Sequence, residues 1–166
     1  MTLKNNKVVF TWMPNQPITV SWYAAGQTRR IAGVSQRQLD YWDEKGLVKP
    51  SIQSGTGKGS ERRYSYADLI KLSVVKQLRQ SGLSLQRIRK AVGILKKRKH
   101  DSDPLLTETL ITDGQRVHRL TNDPATVEDV LSQGQLAFSV VAIGQVEAKV
   151  RRRIELYGGR RSASVG

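Results

Sequence analysis

The sequence has no cysteine, only two histidines and no run of about 18 apolar residues. Without cysteine the chain can form no disulfide, thiol redox centre or thiolate metal site. His100 and His118 are far apart and have no carboxylate at ligand spacing, so we expect no metal site. The first part of the chain lacks an apolar stretch bounded by a small-residue cleavage site. Together with the missing apolar run, this predicts a cytoplasmic protein.

The residue spacings that carry enzyme chemistry are also missing. No nucleophile lies beside a base, and no pair of carboxylates occupies a plausible site. The glycines of residues 54–60, SGTGKGS, are not followed by a Lys-Ser pair that opens a helix, so they do not predict a nucleotide-binding loop. We therefore expect no catalytic activity and no cofactor.

Positive charge is concentrated in one part of the chain. Residues 1–100 contain 20 Lys and Arg against 5 Asp and Glu, whereas residues 101–166 contain 8 against 9. A basic region beside a nearly neutral one is typical of a nucleic-acid-binding domain joined to a module with another role. A basic membrane-surface protein is the alternative, but no amphipathic helix with an uninterrupted apolar face accompanies these charges.

Residues 33–50, GVSQRQLDYWDEKGLVKP, predict the second helix of a helix-turn-helix. Ser35 can cap a helix, and Gln38 can bond back to the amide of Ser35, an arrangement called a capping box. The helix is expected to stop at Gly46. A short helix over about residues 25–32 precedes it, so the second helix, here called the recognition helix, would enter a DNA major groove.

The two faces of the recognition helix differ in polarity. Leu39 and Trp42 lie three residues apart and can face a core. The opposite side is polar, and with the cap it supplies the first candidates for contacting DNA: Ser35, Gln36, Arg37 and Asp40.

A basic hairpin is predicted after the recognition helix. Strand-like runs over residues 51–53 and 62–66 flank the glycine-rich segment, with Lys58 at the tip and Arg62 and Arg63 on the return strand. A solvated basic hairpin is one interpretation. Beside a helix-turn-helix, a wing that grips the DNA phosphate backbone is the favoured one.

Two further helices are expected to hold the wing against the recognition helix. Ser65 and Asp68 form a second capping box that opens a helix over about residues 66–80. Ser84 caps another helix. Its apolar residues recur at helical spacing and are assigned to the core: Leu85, Ile88, Val92 and Leu95.

The order of these motifs resembles the DNA-binding domain of the MerR family of bacterial transcription regulators. The motifs are SQRQLDYWDEKGLVKPS, the glycine-rich wing, RRYSYADL and VVKQLRQSGLSLQRIRKAV, and they cover about residues 22–95. The resemblance implies that Arg37 contacts DNA and that Tyr41 reaches phosphate. It also implies that three wing residues hold the flanking backbone: Arg62, Arg63 and Tyr64.

The chain departs from the pattern of many MerR members at Asp40, where they carry arginine. It also has Tyr41-Trp42-Asp43 where they have Tyr-Tyr-Glu. Because a carboxylate repels phosphate, Asp40 is expected either to accept from cytosine N4 or to orient a neighbouring arginine.

The second half of the chain predicts a small α/β unit. Many MerR regulators pair through one long helix here, which Pro104 and the strand pattern after it exclude. Residues 109–112 and 115–120 flank Asp113-Gly114 as a hairpin. A short helix over about residues 126–131, a third strand over 136–141 and a closing helix over about 143–157 follow.

The Asp-Gly turn followed by VEDVLSQGQLAF resembles the C-terminal domain of a mycobacterial branch of MerR regulators. The resemblance implies that this half is an oligomerisation or effector module. About fifty residues are too few to enclose a drug-sized pocket, so dimerisation is favoured. The expected interface residues are Phe138, Val140, Val146, Val150 and Ile154. The alternative is that this apolar stripe covers only its own sheet.

The predicted protein is therefore α+β and has four parts. These are a flexible arm (residues 1–21), a winged helix-turn-helix DNA-binding domain (22–99), a small α/β dimerisation or effector domain (105–157) and a disordered tail (158–166). We expect a core in each of the two domains.

We interpret the chain as a nucleoid-associated repressor that binds a pseudo-palindromic promoter site as a homodimer, with no small-molecule cofactor. Its partners would be double-stranded promoter DNA, a second copy of the chain and RNA polymerase at the promoter. The alternatives are an excisionase-like factor that bends the DNA of a mobile element, and an RNA-binding or protein-interaction module.

Overall fold

The computed structural model describes residues 22–57, 60–98, 103–107, 109–113, 117–119 and 139–158. Within them the chain combines helices with two small sheets, which confirms the predicted α+β class. The predicted N-terminal arm and the short helix over 126–131 lie outside the described residues, as does all of the predicted tail except Gly158.

The predicted helix-turn-helix is confirmed. Helix α1 spans Ala25–Ala32 and the recognition helix, α2, spans Gln36–Glu44. The turn between them contains Gly33 at φ 67°, a left-handed conformation that a residue without Cβ adopts at little cost. Ser35 and Gln38 form the predicted capping box at the start of α2.

The wing is built differently from the predicted hairpin. Strand β2, Arg63–Tyr64, pairs antiparallel with strand β1, Tyr23–Ala24, just before α1. The outgoing segment of the wing meets β2 through a single bridge, between Gln53 and Arg63. The main partner of the return strand is thus a two-residue strand that the sequence did not predict, because so short a run has no readable alternation.

Two longer helices follow the wing as predicted, α3 over Tyr66–Gln80 and α4 over Leu85–Arg98. Asp68, in the first turn of α3, is completely buried. Its carboxylate accepts from the amide of Ser65 at 2.9 Å, and from the amide and hydroxyl of Ser51 at 2.9 and 2.7 Å. These bonds join the segment that leaves the recognition helix to the start of α3.

The second half begins with a one-turn helix, α5, over Pro104–Thr107. Strand β3, Leu110–Thr112, then pairs antiparallel with β4, Val117–Arg119, and with β5, Ser139–Val141, in the order β4-β3-β5. The predicted hairpin and third strand are present in these residues, although Gly114 lies outside the described ranges. Helix α6 spans Ile143–Tyr157.

Helix α6 packs on α1 and α3. Val146 and Val150 are each 1% exposed, and the carbonyl of Gly158 accepts from Gln27 of α1 at 2.8 Å. The described residues therefore share one buried cluster, where the sequence predicted two separate cores. None of the described helices is long and apolar enough to cross a membrane.

Candidate nucleic-acid interface

The recognition helix is fixed by its inner face. Leu39 is completely buried and Trp42 is 1% exposed, so both anchor the helix on the core as the spacing predicted. The hydroxyl of Ser35 accepts from the amide of Gln38 at 3.1 Å, while the Gln38 side chain accepts from the amide of Ser35 at 2.9 Å. A helix held at its start and along its back presents its outer face in a fixed orientation.

The outer face carries four of the predicted contact residues in exposed positions: Gln36, Arg37, Asp40 and Tyr41. Gln36 donates to Asp40 at 2.7 Å. None of the described residues forms an ion pair with Arg37, whose guanidinium is therefore available for a bidentate contact with a base.

Arg62 links the wing to the recognition helix. Its guanidinium forms an ion pair with the carboxylate of Asp40, and a second, weaker contact at 3.4 Å with that of Asp43. The Arg62 side chain is only 19% exposed as a result. This residue, predicted to hold the phosphate backbone, is occupied inside the protein and is a positioning residue in this state.

Asp40 accepts from both Gln36 and Arg62 on one carboxylate oxygen, Oδ1. The hydrogen bond from Arg62, helped by that from Gln36, lowers the pKa of the Asp40 carboxyl below its usual value of 3.8. Of the two roles expected for this carboxylate, the orientation of a neighbouring arginine is the one found. Its other oxygen, Oδ2, accepts from none of the described residues, so this carboxylate can still accept a further hydrogen bond.

Arg63 lies on the other side of the wing. Its guanidinium carbon is 4.2 Å from the ring centre of Trp22, a cation–π contact, and a terminal nitrogen is 3.3 Å from Glu61. Its side chain keeps 37% exposure, so part of the group can still meet a phosphate. The sequence analysis gave Trp22 no role, although the resemblance to the MerR family begins at about this residue.

Tyr64 was predicted to contact DNA, but the structure places it in the core. The residue is completely buried and lies opposite Tyr23, which is also completely buried, in the β1–β2 pair. Alternation along a strand places the neighbouring Arg63 on the other face. Burial raises the pKa of the Tyr64 hydroxyl to about 12. Tyr64 belongs to the core that supports the wing.

The tip of the wing is only partly described. Lys58, the predicted tip cation, lies outside the described residues. On either side of it the amide of Ser60 donates to the carbonyl of Gly57 at 3.2 Å, and the Ser60 hydroxyl donates to the same carbonyl at 3.0 Å. These bonds join the two described ends of the tip.

A groove of about 470 Å³ runs between the recognition helix and the start of α4. Arg37 and Tyr41 line one side of it, and Arg79 and Leu85 line the other. Arg79 also donates to the carbonyl of Leu83 at 2.6 Å, which braces the turn between α3 and α4. The sequence analysis gave neither Arg79 nor Asp43 a role at this site. Asp43 follows Asp40 by three residues, a spacing that places both on one helix face and could have indicated a shared partner.

The predicted dimerisation residues are scattered. Val146 and Val150 are buried inside the single chain, and Ile154 is partly buried against the same cluster, so these three do not form the predicted exposed stripe. The reason is that α6 packs on α1 and α3 of the same chain. Val140 remains 55% exposed on β5, and Phe138 lies outside the described residues.

Within the described ranges, no group of three or more His, Asp or Glu side chains is arranged to hold a metal ion. The interface is instead a protein surface of exposed cations, amides and one tyrosine. A helix with a buried back, placed beside a short-stranded basic wing, defines a winged helix-turn-helix protein.

Comparison with known families agrees with this class. Residues 23–93 match the MerR HTH family regulatory proteins, a range that begins at β1 and ends within α4. The helix-turn-helix domain of this chain belongs to the MerR family.

The relatives extend the similarity beyond that domain. An uncharacterized HTH-type transcriptional regulator of Mycobacterium tuberculosis (strain ATCC 25618 / H37Rv) is 38% identical over 138 residues, and one of Mycobacterium bovis matches equally. The match covers 83% of this chain and 60% of each relative, so the chain spans less than two thirds of their length. The HTH-type transcriptional activator TipA of Streptomyces coelicolor is 39% identical over 66 residues, which are 40% of this chain and 25% of TipA.

Proposed function

We propose that this protein is a sequence-specific DNA-binding transcription regulator. The observation that carries the proposal is the recognition helix, which has a buried back and an outer face with an arginine, Arg37, that forms an ion pair with none of the described residues. Membership of the helix-turn-helix domain in the MerR family supports it. The charge supports it too, since residues 1–100 carry 20 of the 28 Lys and Arg of the chain.

The residues divide into three roles in this proposal. Arg37 reads a base in the major groove, and Gln36 contacts the neighbouring base edge or its phosphate. Tyr41, 44% exposed, and Arg63 contact the backbone, with Lys58 at the wing tip as a further backbone contact. Arg62 and the capping residue Ser35 act within the protein, because their polar groups hold the wing and the helix start in place.

We further propose a homodimer on a pseudo-palindromic promoter site. A single winged domain makes few phosphate contacts and would bind weakly at physiological salt, whereas two domains about 34 Å apart would read two half-sites. Many MerR regulators pair through one long helix at this point of the chain, whereas here the structure describes two helices, α4 over Leu85–Arg98 and α5 over Pro104–Thr107. Exposed Val140 on β5 is our candidate for the subunit contact.

Repression is the proposed sign of regulation, through occupation of a promoter that RNA polymerase would otherwise use. No small ligand is needed in this scheme, since the chain has no cysteine for metal or thiol sensing. Repression of a cognate promoter by purified protein, in the presence of chelator and reductant, would support this part. A requirement for an added metabolite would defeat it.

The decisive experiment is selection of bound fragments from a random duplex pool, followed by Arg37→Ala. The variant should lose about 1–3 kcal/mol of binding free energy on the selected site and show a relaxed consensus. Lys90→Gln, which removes one exposed charge from α4, is the matched control for net charge. Equal losses on selected and random duplex for Arg37→Ala would disprove base reading.

The same selected sites distinguish the proposal from its alternatives. Protection across a promoter spacer supports transcription control, whereas protection at the end of a mobile element indicates a DNA-bending factor. Preference for RNA in a competition assay against duplex would contradict both.

A further inference from the structure

Three cationic side chains converge where α6 crosses α3. Lys76 comes from α3, and Lys149 and Arg153 come from successive turns of α6. Together with Ser73 and Gln77 they line a cavity of about 110 Å³. No carboxylate is among the described residues that line it, and none of the described residues forms an ion pair with these three cations.

The cations are close enough to repel one another. A Cβ placed on Gly33 would collide with both Lys76 Nζ and Arg153 Nη1, so these two atoms are no more than about 5 Å apart, a range in which like charges interact strongly near a protein surface. Lys149 and Arg153 are also four residues apart on one helix, a spacing at which like charges destabilise. Burial, followed by the charges of Arg153 and Lys149, lowers the pKa of Lys76.

The protein itself supplies only part of the negative charge that would balance these three cations. The carbonyl of Ile31, at the end of α1, accepts from Arg153 at 3.2 Å. A helix C-terminus is equivalent to about half a negative charge, whereas three cations meet here. The remaining positive charge opposes the packing of α6 on α1 and α3, although the apolar contacts of Val146 and Val150 hold the helix there.

We propose that this cavity binds a tetrahedral oxyanion, either inorganic phosphate or the phosphate group of a small ligand. Lys76, Lys149 and Arg153 would donate to its oxygens from two helices, and the cavity has room for a few water molecules or one such group. The bound anion would bridge α3 and α6 beside the turn that contains Gly33. It would stabilise that packing without being needed for DNA binding, so the inference goes beyond the proposed function.

Thermal unfolding of the full chain tests the proposal, in sodium phosphate and in sodium chloride at equal ionic strength and pH. At about ten times the Kd, phosphate should raise the Tm of the wild-type chain by about 3–5 °C. Lys149→Gln should lose most of this rise, and in chloride it should be at least as stable as wild type because a repulsion is removed. Lys149 is exposed, so the substitution spares the core.

Two controls separate the site from other effects. Lys90→Gln changes the same charge outside the cavity and should keep the full phosphate rise, which corrects for the general stabilisation that phosphate gives as a salt. Calorimetric titrations of wild type with phosphate and with glycerol 3-phosphate should reach saturation for at least one of the two ligands. The ligand that saturates shows whether the site binds free phosphate or a phosphate ester.

Two results would overturn the proposal. One is a phosphate rise in Lys149→Gln equal to that of Lys90→Gln. The other is a titration of wild type that saturates with neither phosphate nor glycerol 3-phosphate. If Lys149→Gln keeps the full phosphate rise in Tm and also binds random duplex more weakly than wild type, the cluster faces the DNA backbone instead. Failure of DNA binding by wild type would reject the proposed function but leave the phosphate measurements unaffected.

Discussion

The guanidinium of Arg62 is bound to the carboxylate of Asp40, so a wing residue is tied directly to the outer face of the recognition helix. The contact lies next to the surface proposed to meet DNA. It fixes the angle between the wing and the recognition helix in the free protein. Because of this contact, Arg62 is not a free cation of the proposed phosphate-binding surface, where the resemblance to the MerR family had placed it.

This pairing predicts different salt dependences for the two neighbouring arginines. Arg63→Gln should reduce the slope of log K against log salt by about 0.9, the value for one lost phosphate contact. Arg62→Gln should change the slope by much less, because its charge is already matched by Asp40. Filter or fluorescence binding to random duplex over a range of salt concentrations measures both. Equal reductions would mean that Arg62 leaves Asp40 on binding.

The ion pair also predicts a pH dependence of stability. Because Arg62 lowers the pKa of Asp40 below 3.8, the contribution of the carboxylate is fully present above that pH and is lost as the pH falls through the lowered value. Wild type should exceed Asp40→Asn in unfolding free energy by a constant amount from pH 5 to 7, where Asp40 is ionised, and the difference should shrink below about pH 4. Urea unfolding at each pH measures it.

The size of this effect should be small. Asp40 keeps 51% of its side chain exposed, so solvent screening limits the contribution to at most about 1 kcal/mol. A difference that increases on acidification would show that another group dominates. Glu61→Gln, which alters a carboxylate paired with Arg63 on the same wing, is the matched comparison.

Tyr64 gives a prediction that separates core from interface. Its hydroxyl is buried and has no hydrogen-bond partner among the described residues, so Tyr64→Phe should keep or slightly raise stability at pH 7. DNA affinity should be unchanged. Tyr41→Phe removes an exposed hydroxyl from the proposed interface, and it should weaken DNA binding without changing stability.

The alkaline behaviour of the same variant follows from the raised pKa. The Tyr64 pKa rises from 10.0 to about 12 on folding, so above about pH 10 the hydroxyl ionises more readily in the unfolded state, and the stability of the folded state falls as the pH rises toward 12. Tyr64→Phe should therefore lose less stability than wild type between pH 10 and pH 12. A pH titration followed by circular dichroism measures this loss. Tyr23, whose pKa burial also raises, should leave part of the alkaline loss in place.

The elements that were predicted correctly from the sequence carry their own local signals. The recognition helix and α3 begin with capping boxes, and α6 has apolar residues repeated at helical spacing. These signals span only a few residues, and the structure has helices at those positions. The faces of the recognition helix were also predictable, because three-residue spacing alone places Leu39 and Trp42 together.

The features that were missed depend on residues far apart in the chain. Strand β1 is two residues long and exists only because β2 pairs with it, and the burial of Tyr64 follows from that pairing. Asp40 meets Arg62 across 22 residues, and Arg153 meets Ile31 across 122. Periodicity describes the faces of one element, but it does not say which other element will cover them.

The packing of α6 gives the last prediction. Val150 is 1% exposed within one chain, so Val150→Ala should lower the free energy of unfolding by about 1–3 kcal/mol, from lost apolar burial and the cavity left behind. If α6 acts only inside the chain, this loss is independent of protein concentration, and the mass in solution does not change. Val140→Asp changes an exposed residue of β5 and should have the opposite effects. It should leave the unfolding free energy of a dilute monomer nearly unchanged and should weaken the dimer.

Thermal unfolding at several protein concentrations and analytical ultracentrifugation distinguish the two variants. Dissociation of a dimer by Val150→Ala, with no loss of stability at low concentration, would mean that α6 exchanges between subunits. In that case the buried contacts of Val146 and Val150 would be made across a two-fold axis, and the predicted interface would be restored in a swapped form.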